Sequence, residues 1–302
     1  MPSYKNVAVL GAAGALGAPV LKAIVDSGKF NVTVITRPSS KSTFDSSVKV
    51  VRADYSSVDS LTSALKGHDA VVSAVGTEGL LGQSILIDAA IAAGVKRILP
   101  SEFGSDLSNP KTAAMPVFGY KVATRKHLEA KVAAGADITY TYVVNSGFLD
   151  WGLDSTFLLD WKSAEPKLFN GGDFEFSSTT LASVGQAVVG VLDHPEETKN
   201  RTVYIQDIAI SQKKLLELAR KVAPEKKWNP VTVSLDDQEK WANAKVAEGD
   251  FSMPVMYTYL NVVMFQDGYG SRIEKLDNEL LGVKGKTEAD VEAIFKKLLA
   301  GS

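Results

Sequence analysis

One rhythm in the first half of the chain limits its fold more than any composition figure. Between Lys5 and Asn145, short β-branched runs alternate with longer stretches of helical period. NVAVL is followed by Gly17 to Asp26, NVTVIT by a turn, VKVVRAD by Val58 to Leu65, and AVVSAV by Leu80 to Ala92. KRILP, a helix over Pro116 to Val132, and ITYTYVV continue the series. The strands read as unbroken apolar runs, without the in-out alternation of a half-solvated sheet, and helices sit between them. That pattern predicts an α/β fold with a parallel sheet covered on both faces.

After Asn145 the rhythm changes. LFNGGDFEF holds two short aromatic runs around Asn170-Gly171-Gly172 and is expected to form a hairpin. Leu181 to Leu192 and Gln212 to Val222 have helical patterns, and TVYIQ has that of a lone strand. Trp151, Phe157, Trp161, Trp228, Trp241, Phe251, Met253, Met256, Tyr257, Tyr259, Met264 and Phe265 all fall in this half. The expected organisation is a main domain over 1–150 and a smaller, aromatic-rich α+β lobe mainly over 151–302. The boundary is soft, with some later elements returning to the first sheet.

At 302 residues the chain can bury a large core. A net charge of -2 gives no footprint for nucleic acid, and the absence of cysteine removes disulfides, thiolate metal sites and a cysteine nucleophile. His68, His127 and His194 lack ligand spacing, so no metal site is expected. The N-terminal MPSYKNVAVLG leaves no room for a signal peptide, and no apolar run approaches the roughly 20 residues that span a bilayer. The expected location is cytoplasmic, without membrane partners, as a monomer or homodimer.

The first strand ends in GAAGALG, which places Gly11, Gly14 and Gly17 at three-residue spacing before a helix. Such a turn brings the backbone of Ala13, Gly14, Ala15 and Leu16 close to a pyrophosphate, whose charge sits on the positive end of the helix. This places the sheet in the doubly wound, Rossmann-like class. A protein selective for NAD usually carries Asp or Glu at the end of the second strand, but here the chain reads Thr36-Arg37-Pro38-Ser39-Ser40-Lys41. A guanidinium offers a planar fork to a 2′-phosphate, and Lys41 and the serine hydroxyls add charge and donors. The expected cofactor is NADP(H). Asp54 is a candidate acceptor for the adenine amino group, or a plain turn former, with Tyr55 beside it. Val75 and Gly76 follow the fourth strand, where small residues let a nicotinamide pass or simply make a turn.

Farther on, Pro100-Ser101-Glu102-Phe103-Gly104 ends a strand, and Phe118-Gly119-Tyr120-Lys121 with Arg125 opens a helix. With the GxxGxxG opening, the arginine after the second strand, Gln83, KRILPSEFG, FxxKxxxR and NSGF, the chain resembles the isoflavone reductase-like family. These are phenylpropanoid reductases of the NmrA-like branch of the atypical short-chain dehydrogenases. The resemblance extends through KLFNGGDFEFSSTTLASVGQAVVGVL and covers nearly the whole chain. It implies a dinucleotide domain with a small substrate lobe, NADPH as hydride donor, and Lys121 as the catalytic side chain. In that setting Gln83, Ser101, Glu102, Phe103, Asn145, Phe148 and Lys121 itself are read as further cofactor contacts. The later part of the second lobe offers no residue assignable to a substrate group, so plant phenylpropanoids are not implied.

Ordinary short-chain dehydrogenases pair a tyrosine with a lysine four residues later. That earlier position is Val117, and Tyr120 points about 100° away from Lys121 on a helix, which disfavours the tyrosine mechanism. A lone lysine whose ammonium is destabilised can exchange a proton near neutrality, or stay charged and stabilise an oxyanion. Its bland alternative is a solvated surface lysine. Lys126 belongs to an outer, solvated face, and His127 is read as structural. Glu102 binds ribose, orients Lys121 or caps its loop. Phe118, Phe148, Trp151, Met256 and Tyr257 are read as substrate contacts or as core. The expected function is NADPH-dependent reduction of a hydrophobic, aromatic or conjugated molecule. A non-catalytic NmrA-like regulator that senses NADP(H), and a quinone reductase, are the alternatives.

Overall fold

A computed structural model describes residues 4–300 of the chain. Its first half alternates strand and helix: β1 (Asn6–Leu10), α1 (Gly17–Asp26), β2 (Asn31–Thr36), β3 (Lys49–Arg52), α2 (Val58–Leu65), β4 (Ala70–Ser73), α3 (Thr77–Leu80), α4 (Gln83–Ala93) and β5 (Arg97–Leu99). After α5 (Pro110–Ala113), a short 3₁₀ turn over Pro116–Phe118 leads into α6 (Gly119–Ala133) and then β6 (Thr139–Val144). The second half holds β7 (Gly147–Phe148), α7 (Leu149–Asp154), β8 (Lys167–Phe169), β9 (Glu175–Thr179), α8 (Leu181–Asp193), β10 (Arg201–Tyr204), β11 (Ile208–Ser211) and α9 (Gln212–Val222). It closes with β12 (Val231–Val233), α10 (Leu235–Ala247), α11 (Met253–Phe265), α12 (Asn278–Leu281) and α13 (Glu288–Ala300).

The main sheet has seven parallel strands in the order β10-β6-β5-β4-β1-β2-β3. Apolar residues of either parity along β1 are buried because each face has its own helical cover. Val7 and Val9 join Val20 and Ile24 of α1 and Val184 and Val188 of α8, whereas Ala8 and Leu10 join Leu61 of α2, Leu86 of α4 and Leu128 of α6. The order reverses between β1 and β4, and in an open α/β sheet the crevice at the carboxyl ends beside that reversal is where ligands bind.

Two expectations for the second half are corrected. TVYIQ is not a lone strand: Arg201–Tyr204 is the seventh strand of the main sheet, parallel to β6. LFNGGDFEF is not a hairpin: β8 pairs with β12, and β9 with β11 and β7. Asn170, Gly171 and Gly172 all have positive φ, at 48°, 84° and 79°, and this run of left-handed residues sends the two flanking strands into different sheets. Phe169, Phe176 and Phe265 interlock in the separate core of this half, with Phe169 stacked on Phe265 at 5.2 Å.

At the amino ends of the strands, away from the crevice, Arg97 is fully buried with neutral partners. Its guanidinium donates to the Thr139, Thr141 and Thr198 hydroxyls and to the Pro195 carbonyl. A desolvated cation needs its donors satisfied, and here, among the described residues, hydroxyls and a carbonyl do that work. Burial accordingly lowers the proton affinity of Arg97.

Candidate active site

The turn after β1 is shaped by what its glycines prevent. Gly11 has φ +76°, and a Cβ there would lie 2.4 Å from the Ala74 carbonyl oxygen, so the turn passes directly over the end of β4. A Cβ on Gly17 would lie 2.0 Å from the Gly11 carbonyl, so the first turn of α1 sits against the loop. Ala13, Gly14 and Ala15 are exposed between them, with Gly14 N–H donating to Gly11 O at 2.9 Å. Leu16, the residue before α1, provides no side-chain cap, and the first turn has no acidic residue. The positive end of the helix therefore keeps its electrostatic demand for an anion.

From this turn a cleft of about 700 Å³ runs past Arg37 and Ser40 on one side and Val75, Gly76 and Gln83 on the other. Tyr55 lines it with its hydroxyl donating to Ile35 O at 2.6 Å, and burial pushes that phenol up to about 12 despite the opposing effects of the Gly11 backbone and the Arg37 charge. Lys41 is exposed on the same loop but outside the lining. Asp54 also lies outside it. Its carboxylate accepts from Ser56 N–H at 2.9 Å and Ser56 Oγ at 2.6 Å, closing its own turn, which lowers its pKa. Ser56 lines the cleft in its stead, as do Ser42, Phe44, Leu81 and Gly82, which the sequence reading left out. Phe44 had a signal, since it is the lone aromatic in the polar run SSKSTFDSS.

At the other end of the cleft, hydrogen bonds lead to Lys121. Gln83, the first residue of α4, accepts from Ser101 N–H through Oε1 at 2.6 Å, while its Nε2 is buried without a partner. Ser101 Oγ donates to Val75 O at 2.8 Å. The next two residues, Glu102 and Phe103, offer their carbonyls to Lys121 Nζ at 2.7 and 2.9 Å. One helical turn along α6, Arg125 Nε meets Glu102 Oε2 at 2.5 Å, and both side chains are buried. Among the described residues, Glu102 Oε1 and Arg125 Nη2 have no hydrogen-bond partner.

This environment acts on the charges in opposite senses. Burial pushes the Lys121 ammonium below the usual lysine range, with the Glu102 carboxylate opposing and Arg125 reinforcing. Burial pushes the Glu102 carboxyl up, against the pull of Arg125 and Lys121. Lysine with a lowered folded pKa stabilises the fold above its unfolded value of about 10.5 and loses that contribution as pH falls through the folded value. Stability of the native protein is thus expected to rise with pH across that interval relative to Lys121→Met. Thermal melts of both proteins from neutral to alkaline pH check this, and parallel profiles would contradict it.

The remaining candidates divide into four groups. Phe103 and Asn145 are buried; Asn145 donates to Ser146 O at 3.2 Å and leaves Oδ1 unpaired. Phe148, Trp151 and Tyr257 fall on one aromatic run completed by Phe157, with ring separations of 6.4, 6.5 and 6.0 Å. Phe118 is buried in the second core, and Met256 packs against that core. Tyr120 and Lys126 are exposed, while His127 reaches across to Asp88 of α4 at 2.9 Å. Among the described residues, no group of His, Asp and Glu could hold a metal ion and no helix is long and apolar enough to cross a membrane.

The family resemblance read from the motifs can now be set against known proteins. Oxidoreductase poxI of Penicillium oxalicum is 32% identical over 297 residues, which is 93% of this chain and 91% of that protein. Isoflavone reductase homolog IRL of Zea mays is 33% identical over 239 residues, covering 73% of this chain and 75% of its own length. The solved structure "AtPrR2 with NADP+ and (+)pinoresinol" superposes with a TM-score of 0.79 at 24% identity, covering 99% of this chain and 100% of that one. The model of the NmrA-like family matches residues 3–240, across the crevice, the basic loop and the Lys121 helix, and the chain belongs to that family.

Proposed function

We propose that the protein is an NADPH-dependent reductase that delivers hydride to a hydrophobic, aromatic or conjugated small molecule. That it is an oxidoreductase using NADP(H) rests on its family and on the cradle after β1, where exposed backbone and an uncapped helix start suit a pyrophosphate. The residues fit the cofactor: Gly14 is exposed and lines the cleft, and Arg37 and Ser40 line it where a 2′-phosphate would be received. In this reading residues 1–150 hold the dinucleotide and residues 151–302 supply most of the substrate's surroundings.

The observation that carries a catalytic role is the suspension of Lys121 Nζ between two main-chain carbonyls. Two of its three protons are committed, so the third is directed. Bound reduced nicotinamide supplies the hydride. Lys121 then answers the charge that develops on the acceptor's oxygen, either by giving up its proton or by remaining charged beside it. Its lowered proton affinity favours transfer, and the carbonyl pair keeps the group aimed in either case. The aromatic run through Phe148, Trp151, Phe157 and Tyr257 supports an aromatic substrate, since flat apolar walls bury a ring's surface without demanding polar groups of it.

Two measurements test the reading. Arg37→Asp is expected to weaken NADPH roughly tenfold or more while sparing NADH, because a carboxylate repels a 2′-phosphate and accepts from a 2′-hydroxyl. Equal NADPH affinity in that variant would remove Arg37 from the site. Oxidation of NADPH should also be followed with enones, quinones, aryl ketones and allylic phenol ethers. Turnover on a conjugated or aromatic acceptor supports the reductase, whereas tight binding without any turnover would favour the sensor.

A further inference from the structure

We propose that Arg52 is a specificity-determining positioning residue, which grips the backbone of the Arg37–Ser40 loop and holds it in the shape that receives a 2′-phosphate. The inference rests on the NADP(H) reading above. Arg52 ends β3 and lies in register with Thr36, the last residue of β2, so its side chain starts beside the loop that follows Thr36. From there a single nitrogen, Nη1, approaches three carbonyl groups of that loop: Pro38 O at 2.7 Å, Ser40 O at 3.0 Å and Arg37 O at 3.4 Å.

Three physical effects follow from this grip. Carbonyl oxygens repel a phosphate dianion, and tying them to a cation reduces that repulsion. Residues 37–48 contain no strand or helix, and the Arg37–Ser40 turn carries a backbone bond, Ser40 N–H to Arg37 O at 3.0 Å, beside the contacts of Arg52. Ordering such a loop upon binding costs free energy, which a preformed turn avoids. The arginine also adds charge beside Arg37 and Lys41, while the nearby Asp54 carboxylate is engaged by Ser56. Arg37 and Ser40 line the cleft, whereas Arg52 stands behind them and acts through the loop they belong to.

Calorimetric titration of NADPH and NADH into the native protein, Arg52→Met, Arg52→Lys and Arg37→Asp separates these effects. Both Arg52 variants are expected to bind NADPH roughly tenfold more weakly and NADH within about twofold of native, because the loss falls on the 2′-phosphate site alone. Their NADH binding also reports that they are folded. Full affinity in Arg52→Met overturns the proposal. Full affinity in Arg52→Lys alone also overturns it, since a cation without the reach of Nη1 to the loop carbonyls would then suffice. Equal weakening of both cofactors points to a general structural role and overturns it too. If Arg37→Asp loses NADPH and the Arg52 variants do not, the inference fails and the cofactor reading stands. If the native protein shows no preference for NADPH, both fail.

Discussion

Replacing Lys121 with Met is expected to lower turnover by roughly a hundredfold to ten-thousandfold, the usual contribution of a positioned acid-base group. NADPH affinity should stay within about threefold, since a transition-state interaction is what is removed. Methionine keeps the length of the stem but leaves the Glu102 and Phe103 carbonyls without their donor. Arg125 is placed for another task, because its Nε is engaged by Glu102 and its guanidinium carbon lies 4.2 Å from the centre of the Tyr142 ring. Single-turnover kinetics beside equilibrium NADPH titration separate the two quantities. A variant that turns over at the native rate would take the lysine out of the chemistry, and one that loses NADPH affinity in proportion to its rate would make it a binding group.

The second large effect is on stability. Arg125→Met is expected to cost about 3–5 kcal/mol, because it leaves the Glu102 carboxylate buried beside an apolar group. Glu102→Met should cost a similar amount by isolating the guanidinium. The double variant should recover most of the loss, since two apolar groups of similar volume need no counterion. Denaturant unfolding of the four proteins closes the cycle, and simple addition of the two single losses would show that the pair is uncoupled. Acid should soften the Arg125→Met defect. A carboxyl whose folded pKa is raised contributes stability below its unfolded pKa and loses it as pH rises through the folded value, so an unpaired Glu102 is tolerated best when protonated.

Local residues announced the strand rhythm, the glycine turn and the basic loop because each is a short-range device. NVAVL had to be a buried strand and GAAGALG had to turn, whatever lay elsewhere. The return of Arg201–Tyr204 to the main sheet could not be read that way, since a four-residue strand carries no mark of a partner some sixty positions earlier. Asn170-Gly171-Gly172 announced a turn correctly but not the destinations of its arms. At the site, the sequence offered Lys121 and Glu102 as candidates. It hid their relation, because the lysine is held by the backbone oxygen of Glu102 and the carboxylate is given to Arg125. Main-chain acceptors leave no trace in residue identity, and the same is true of the carbonyls beneath Arg52.

The seventh strand also sets an order in time. During synthesis the chain delivers β1 to β6 and their helices first, and β6 remains the sheet's open edge until residue 204 has left the ribosome. The segment that closes this edge also carries the Pro195 carbonyl and the Thr198 hydroxyl, so the buried Arg97 lacks half of its ligands until the same moment. The first half of the chain is therefore not a nascent unit that can finish early and wait. Its last strand and the shell of its buried cation arrive together, late, from the second half of the chain.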